Sequence, residues 1–301
     1  MTSSNRDTGA HPDPRTAASL SAELHAAFTL SDAGEGVLRA PYFTERRGVV
    51  FGGQMVGQAV VAASRCIPDK RVRSAQTVFA RGARLDQPVD IRVEPMHQGR
   101  NIASATVTFA QNDRLCARSL VLLDVAEPDL VRHQIPMPAA PAPDAAKAVP
   151  HWLAAPQTIV VGDVDIADPA QTGPPSLQLW IRFPDAPVDD TTMARALLSH
   201  ASDGWLIATA MRPHAGLGQS MAHTEVSTGV LTQDITFHDE FDARQWLLID
   251  HESLATGAGR AYGRGHVFTE DGRLVASFVQ EALLRRFPNG QDSRGKTSTI
   301  F

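Results

Sequence analysis

Residues 51–66, FGGQMVGQAVVAASRC, read as a short loop running into a helix whose apolar residues do not keep to one side. Met55, Val56, Ala59, Val60, Val61, Ala62 and Ala63 nearly encircle it, and Gln54 and Gln58 are the main polar interruptions. A helix that is apolar all round has no face to give to water and must be buried. The chain therefore needs an architecture that encloses a complete helix, and it begins that helix with two glycines, Gly52 and Gly53.

The segments around it supply an enclosing layer. Residues 17–28 form a short amphipathic helix and 36–50 a strand with a turn. After the apolar helix come four strand candidates, the first at 72–80. In PVDIRVEP, Val89, Ile91 and Val93 alternate with Asp90, Arg92 and Glu94, a period of two. NIASATVTFA puts Ala103, Ala105, Val107 and Phe109 on one face, and LCARSLVLL closes a hairpin after the turn residues Asn112 and Asp113. Residues 126–156 are rich in proline and alanine without a sustained period. Proline fixes φ and removes donors, so this segment is a linker draped over the surface.

The second half repeats the plan. LQLWIRF alternates as a strand, Asp189 and Asp190 can cap a helix running to about Met211, and strands follow at 227–238, 245–253, 260–269 and 273–285. Phe79 precedes Gly99 by 20 residues, as Phe237 precedes Gly257, and NDRL (112–115) matches EDGRL (270–274) with one insertion. Such self-similarity points to duplication. A long antiparallel sheet curled around one apolar helix is the hotdog fold. Two copies make an α+β double hotdog, with a disordered leader at 1–18, hotdog units at 19–125 and 157–287 joined by the linker, and a flexible tail at 288–301.

Composition removes several classes. A net charge of −5 gives no general attraction to nucleic acid, and two cysteines cannot build a disulfide framework or a cysteine zinc site. No apolar run approaches the ~18 residues of a membrane span, and the polar N-terminus lacks a signal-peptide core, so the expectation is a cytoplasmic protein. GAGRAYGRG (257–265) runs into a strand where a dinucleotide loop needs a helix. His238 and His251 lack the HExxH spacing of zinc hydrolases, and no Gly-x-Ser-x-Gly elbow is present.

Three motifs carry a resemblance. VFGGQMVGQAV resembles the VFGGQ-x-x-GQA opening of acyl-CoA thioesterase II proteins. FHDEFDARQWLLIDHES is similar to their FH-x-x-F-x-x-x-x-WLL-x-x-ES segment, and GRLVASFVQEALLR to their G-x-LVAS-x-x-QE-x-x-x-R ending. The matches keep the family's order from about residue 38 to 286. The resemblance implies double-hotdog hydrolases that cleave fatty acyl-CoA to free acid and CoA. They use no metal and no cofactor, and an Asp, a Thr or Ser and a Gln hold the attacking water. It also implies a homodimer or homotetramer.

Asp203, in SHASDGW, matches the family's Asp. On a helix it falls at the edge of the stripe of Ala196, His200, Ile207 and Met211, where an ionised carboxylate needs partners or a raised pKa. Its implied role is to orient a water and accept its proton. Gln280 matches the family's Gln and shares a strand face with Ala276, Phe278 and Ala282, so its amide is buried and needs hydrogen bonds. Val230 stands where the family has its hydroxyl. Thr228 and Thr232 flank it, both on its face by strand period, and Thr232 is preferred because a bulge at Gly229 is needed to realign Thr228. Gly52, Gly53 and Gln54 are candidates for substrate binding, with helix-start amides facing an oxyanion. Arg81 and Arg100, at strand ends, are candidates for CoA phosphates. The missing hydroxyl also supports a rival, an acyl-CoA-binding protein that has lost hydrolysis. A hydratase on the same fold is set aside, since no Asp is followed five residues later by His at a helix start.

Overall fold

The computed structural model describes residues 16–43, 49–151 and 153–287. Most of the expected leader and all of the expected tail lie outside these. The last residues of the leader are ordered: Thr16 caps α1 (Ala17–Phe28) by accepting from Ser19 N, and the helix buries Leu20, Leu24, Ala27 and Phe28.

Two short strands, β1 (Ser31–Asp32) and β2 (Leu38–Arg39), precede the apolar helix α2 (Gly52–Cys66). The first long strands are β3 (Arg71–Phe79), β4 (Asp90–Gln98), β5 (Ile102–Gln111) and β6 (Arg114–Asp124). Beyond the linker come β7 (Gln157–Val160), β8 (Ser176–Arg182), α3 (Thr191–Ser202), α4 (Leu206–Met211), β9 (Val226–Phe237), β10 (Leu247–Gly257), β11 (Arg260–Thr269) and β12 (Leu274–Arg286). All twelve strands form one antiparallel sheet in the order β1-β2-β4-β5-β6-β3-β9-β12-β11-β10-β8-β7.

The halves meet where β3 pairs with β9, and the register there is pseudo-twofold. Gln76 and Asp234 lie three residues before Phe79 and Phe237, and they pair with each other. Each half also carries a bulge at the same place: the ladder steps over Arg73 in β3 and over Leu231 in β9, six residues before the same two phenylalanines.

The sheet does not enclose α2 alone. β3 to β6 cover one side, α1 covers another, and α3 of the second half covers the rest. Met55, Val56, Ala59, Val60, Ala62 and Ala63 are all buried. A Cβ on Gly57 would stand 2.7 Å from the Ala196 carbonyl oxygen and 2.5 Å from the Phe28 ring, so the α2 and α3 backbones touch through a missing side chain. The polar interruptions are matched to backbone. Gln58 Nε2 donates to Ala27 O at 2.9 Å. Gln54 accepts from Phe43 N at 2.9 Å and donates to Pro41 O at 3.3 Å. With its amide spent on these two backbone groups Gln54 is fully buried, which corrects its assignment to substrate.

The linker is not merely draped. Trp180 Nε1 donates to Pro141 O, and Met137, Ala140 and Ala148 pack against a second cluster of Trp180, Trp246, Leu248 and Phe268 on the outer face. Gln134 clips it to the β11–β12 turn through Gly272 O and Leu274 N. No helix of the described residues is long and apolar enough to cross a membrane.

At an exposed helical site Gly→Ala gains about 1 kcal/mol. At Gly57 the sign should reverse, with Gly57→Ala lowering unfolding stability by about 1–3 kcal/mol as Phe28 and α3 are forced away; thermal or urea unfolding reads it.

Candidate active site

The single helix expected from Asp190 to Met211 is broken in the middle. α3 ends at Ser202, Asp203 is its C-cap with φ −84° and ψ −16°, and α4 starts at Leu206. Gly204 lies in the break. A Cβ there would be 2.4 Å from Leu153 O, so the glycine admits the linker's turn against the α3–α4 corner. Asp203 is 4% exposed.

Its carboxylate is held from two directions. Gly53 N, in the first turn of α2, donates to Oδ2 at 2.6 Å, and Gln280 Nε2 donates to Oδ1 at 2.5 Å. Side chains at both glycines would collide with it: a Cβ on Gly52 would be 2.8 Å from Asp203 Oδ2, and one on Gly53 2.9 Å from Asp203 Cβ. Burial raises the carboxyl from its ordinary 3.8 to about 7, working against these two donors, which lower it. Gly53 N, expected to face an oxyanion, is thus committed to Asp203.

Gln280 on β12 is fully buried and sits opposite Gln233 of β9, whose Oε1 it also reaches at 2.8 Å. Gln280 Oε1 is buried with no hydrogen-bond partner among the described residues. Gln233 was not a sequence candidate. Its inward position depends on the bulge, which pairs Ala282 with Val230 but Glu281 with Thr232.

The same bulge corrects the choice of hydroxyl. Thr232 pairs with Val78, which is 59% exposed on the outer face, whereas its neighbour Gln233 is fully buried. Thr232 therefore points away from Asp203 and Gln280. Thr228, the other side of the bulge, is 3% exposed, with Oγ1 3.2 Å from His223 Nε2.

A pocket opens beside Asp203. Its apolar wall includes Phe51, Met55, Phe79, Leu153, Ile207 and Val230; Arg81, Gln219, His223 and Thr228 supply polar groups, and Gly52 lies at the helix start. Arg100 is not near it. β4 follows β3 in sequence but lies three places away in the sheet, and the β4–β5 turn carrying Arg100 falls at the end marked by Arg71 and Asp124, opposite the Arg81 end. Arg100 is corrected accordingly.

Comparison with known proteins places the chain in a family. The profile of the acyl-CoA thioesterase C-terminal domain matches residues 133–284, and that of the N-terminal domain matches residues 40–123. The chain belongs to the acyl-CoA thioesterase II family. As a member of this acyl-CoA thioesterase II family it is a double-hotdog thioester hydrolase. It is 28% identical to acyl-CoA thioesterase 2 of Haemophilus influenzae over 254 residues, covering 78% of this chain and 87% of that protein. Human acyl-coenzyme A thioesterase 8 is 27% identical over 285 residues, covering 86% and 88%. The crystal structure of acyl-CoA thioesterase II TesB2 from Mycobacterium marinum superposes with a TM-score of 0.72 at 26% identity, covering 88% of this chain and 99% of that one.

The raised carboxyl has a consequence for stability. Between its ordinary 3.8 and about 7 the folded thioesterase holds a proton that the unfolded chain has released. Asp203 therefore contributes its full share below the unfolded value, and this is lost as pH rises through about 7. Wild-type stability should fall relative to Asp203→Asn as pH is raised from about 5 to about 9, read by parallel denaturant titrations.

Proposed function

We propose that the chain hydrolyses acyl-CoA thioesters to free acid and CoA, with Asp203 as general base and Gln280 beside it. The observation that carries this reading is a buried carboxylate, raised to about 7, facing an apolar pocket and bonded to a buried glutamine. A general base works best with a pKa near the operating pH. Asp203 takes a proton from a water, whose oxygen attacks the thioester carbon. Collapse of the tetrahedral intermediate breaks the carbon–sulfur bond, and the proton returns from Asp203 to the CoA sulfur. The α2 N-terminus, reaching the pocket at Gly52, favours the oxyanion through its dipole.

Thr228 takes the part assigned by resemblance to a hydroxyl at Val230, with His223 as its hydrogen-bond partner. His223 has a positive φ of 62°, a conformation uncommon outside glycine. Arg81 is the candidate for a CoA phosphate. The apolar wall takes the acyl chain, and Leu153, brought from the linker against Gly204, helps to close it.

Release of CoA from a series of acyl-CoA esters, followed with a thiol-reactive dye, tests the reading; no release at any chain length would overturn it. Asp203→Asn should lower kcat by about 10²–10⁴-fold. Wild-type kcat should rise with pH through about 7, since the base must be ionised. Thr228→Ala should reduce turnover, whereas Thr232→Ala on the outer face leaves it within a factor of about two. Leu153→Ala should move the kcat/KM optimum towards longer or bulkier acyl groups.

A further inference from the structure

One hydrogen-bond chain behind the site has a definite polarity. At the end of α3 the helix leaves carbonyls without intrahelical partners, and Ser202 Oγ donates its single proton to Ser199 O at 2.9 Å. Toward Gln233, 2.8 Å away, Ser202 can then only accept, so Gln233 must present its NH2 group. That turns Gln233 Oε1 toward Gln280, which must answer with its own NH2 at 2.8 Å. The second hydrogen of that NH2 goes to Asp203 Oδ1 at 2.5 Å. Gln280 Oε1 remains, buried and without a partner among the described residues. A helix carbonyl thus decides which end of a distant amide faces the carboxylate.

We propose that Gln233 and Ser202 are positioning residues that fix the orientation of the Gln280 amide. Its NH2 is locked on Asp203, and its carbonyl oxygen is kept as an acceptor for a hydrogen of the attacking water. The inference rests on the roles given above to Asp203 and Gln280. Without the relay, Gln280 can rotate its amide by half a turn and aim Oε1 at Asp203. Two acceptors then face each other, which favours the protonated acid and disables it as a base. Ser202 and Gln233 are both fully buried, so no water substitutes readily for either.

Other charged or titrating groups surround Asp203. Arg81 approaches from the end of β3 and His223 from the loop before β9, and both line the same pocket. His200 lies one turn back on α3 with its ring among Phe28, Phe43 and Phe51, and His151 of the linker stacks near Trp205. The relay touches none of these, so a limb belonging to one of them stays where it is when the relay is cut.

The test is the pH dependence of kcat for Gln233→Leu and for Ser202→Ala, which removes only a hydroxyl and guards against a folding failure at Gln233. The expected result is a kcat loss of about tenfold or more with KM little changed. The acid limb should move up by roughly one pH unit, because a charged hydrogen bond to the carboxylate has been lost. Gln233→Glu, which keeps an acceptor for Gln280, should recover part of the loss. A wild-type acid limb in both Ser202→Ala and a folded Gln233→Leu overturns the relay while leaving the reading of Asp203 intact. Undiminished turnover by Asp203→Asn overturns that reading, and the relay with it.

Discussion

The contact between Gly53 N and the Asp203 carboxylate joins the two halves of the chain beside the pocket. One partner is the first turn of the helix buried in the first half; the other caps the helix of the second. The contact forms only because α2 and α3 approach backbone to backbone, which the glycines of α2 allow. The helix N-terminus supplies an aligned donor and a favourable dipole to an anion that burial would otherwise discharge. Packing, helix capping and the protonation of the Asp203 carboxylate are therefore one problem with one solution.

The duplication gives the geometry twice and the chemistry once. By the repeat offset, Val72 corresponds to Val230 and Ala75 to Gln233. Val121, opposite Ala75, takes the position that Gln280 holds opposite Gln233. The related cleft at the far end of the helix pair is lined instead by Ser64, Lys70, Arg71, Thr191 and Arg195. There Arg195 is buried against Val72 O and Glu240, and its cation lies over the Phe237 ring. Asp124 and Glu240 there are paired with Arg71 and Arg195, and among the described residues no buried amide faces them as Gln280 faces Asp203. A fused pair of units can specialise one site because the other is free to become scaffold.

The sequence made the large features legible through burial and period. An all-apolar helix forces an enclosing architecture, and period-two alternation places strands to within a residue or two at 260–269 and 273–285, although the strand expected at 245–253 runs on to Gly257. Asp203 and Gln280 could be named from motif context, and each looked misplaced for its local pattern, a carboxylate and an amide among apolar neighbours. What stayed hidden depends on pairing. A bulge at Leu231 shifts the phase of β9, so Thr232 leaves the inner face and Gln233 enters it, while a strict period of two predicts the reverse. Arg100 and Arg81 group together only if consecutive strands are neighbours, whereas β5 and β6 lie between β4 and β3. The Asp-Gly step in SHASDGW was the available signal for the break between α3 and α4.

The connection between the units carries more than connectivity. Its outer part is fastened to Trp180 and the β11–β12 turn, and its last turn brings Leu153 to the wall beside Gly204. A pair of separately synthesised hotdog units could still meet edge to edge through β3 and β9, yet the pocket they enclosed would lack one side. Exchanging the tether for a generic spacer would leave the β3–β9 pairing in place and remove the Leu153 side of the cavity. One wall of the pocket is therefore built by a stretch that looks, by composition, like packing material between modules.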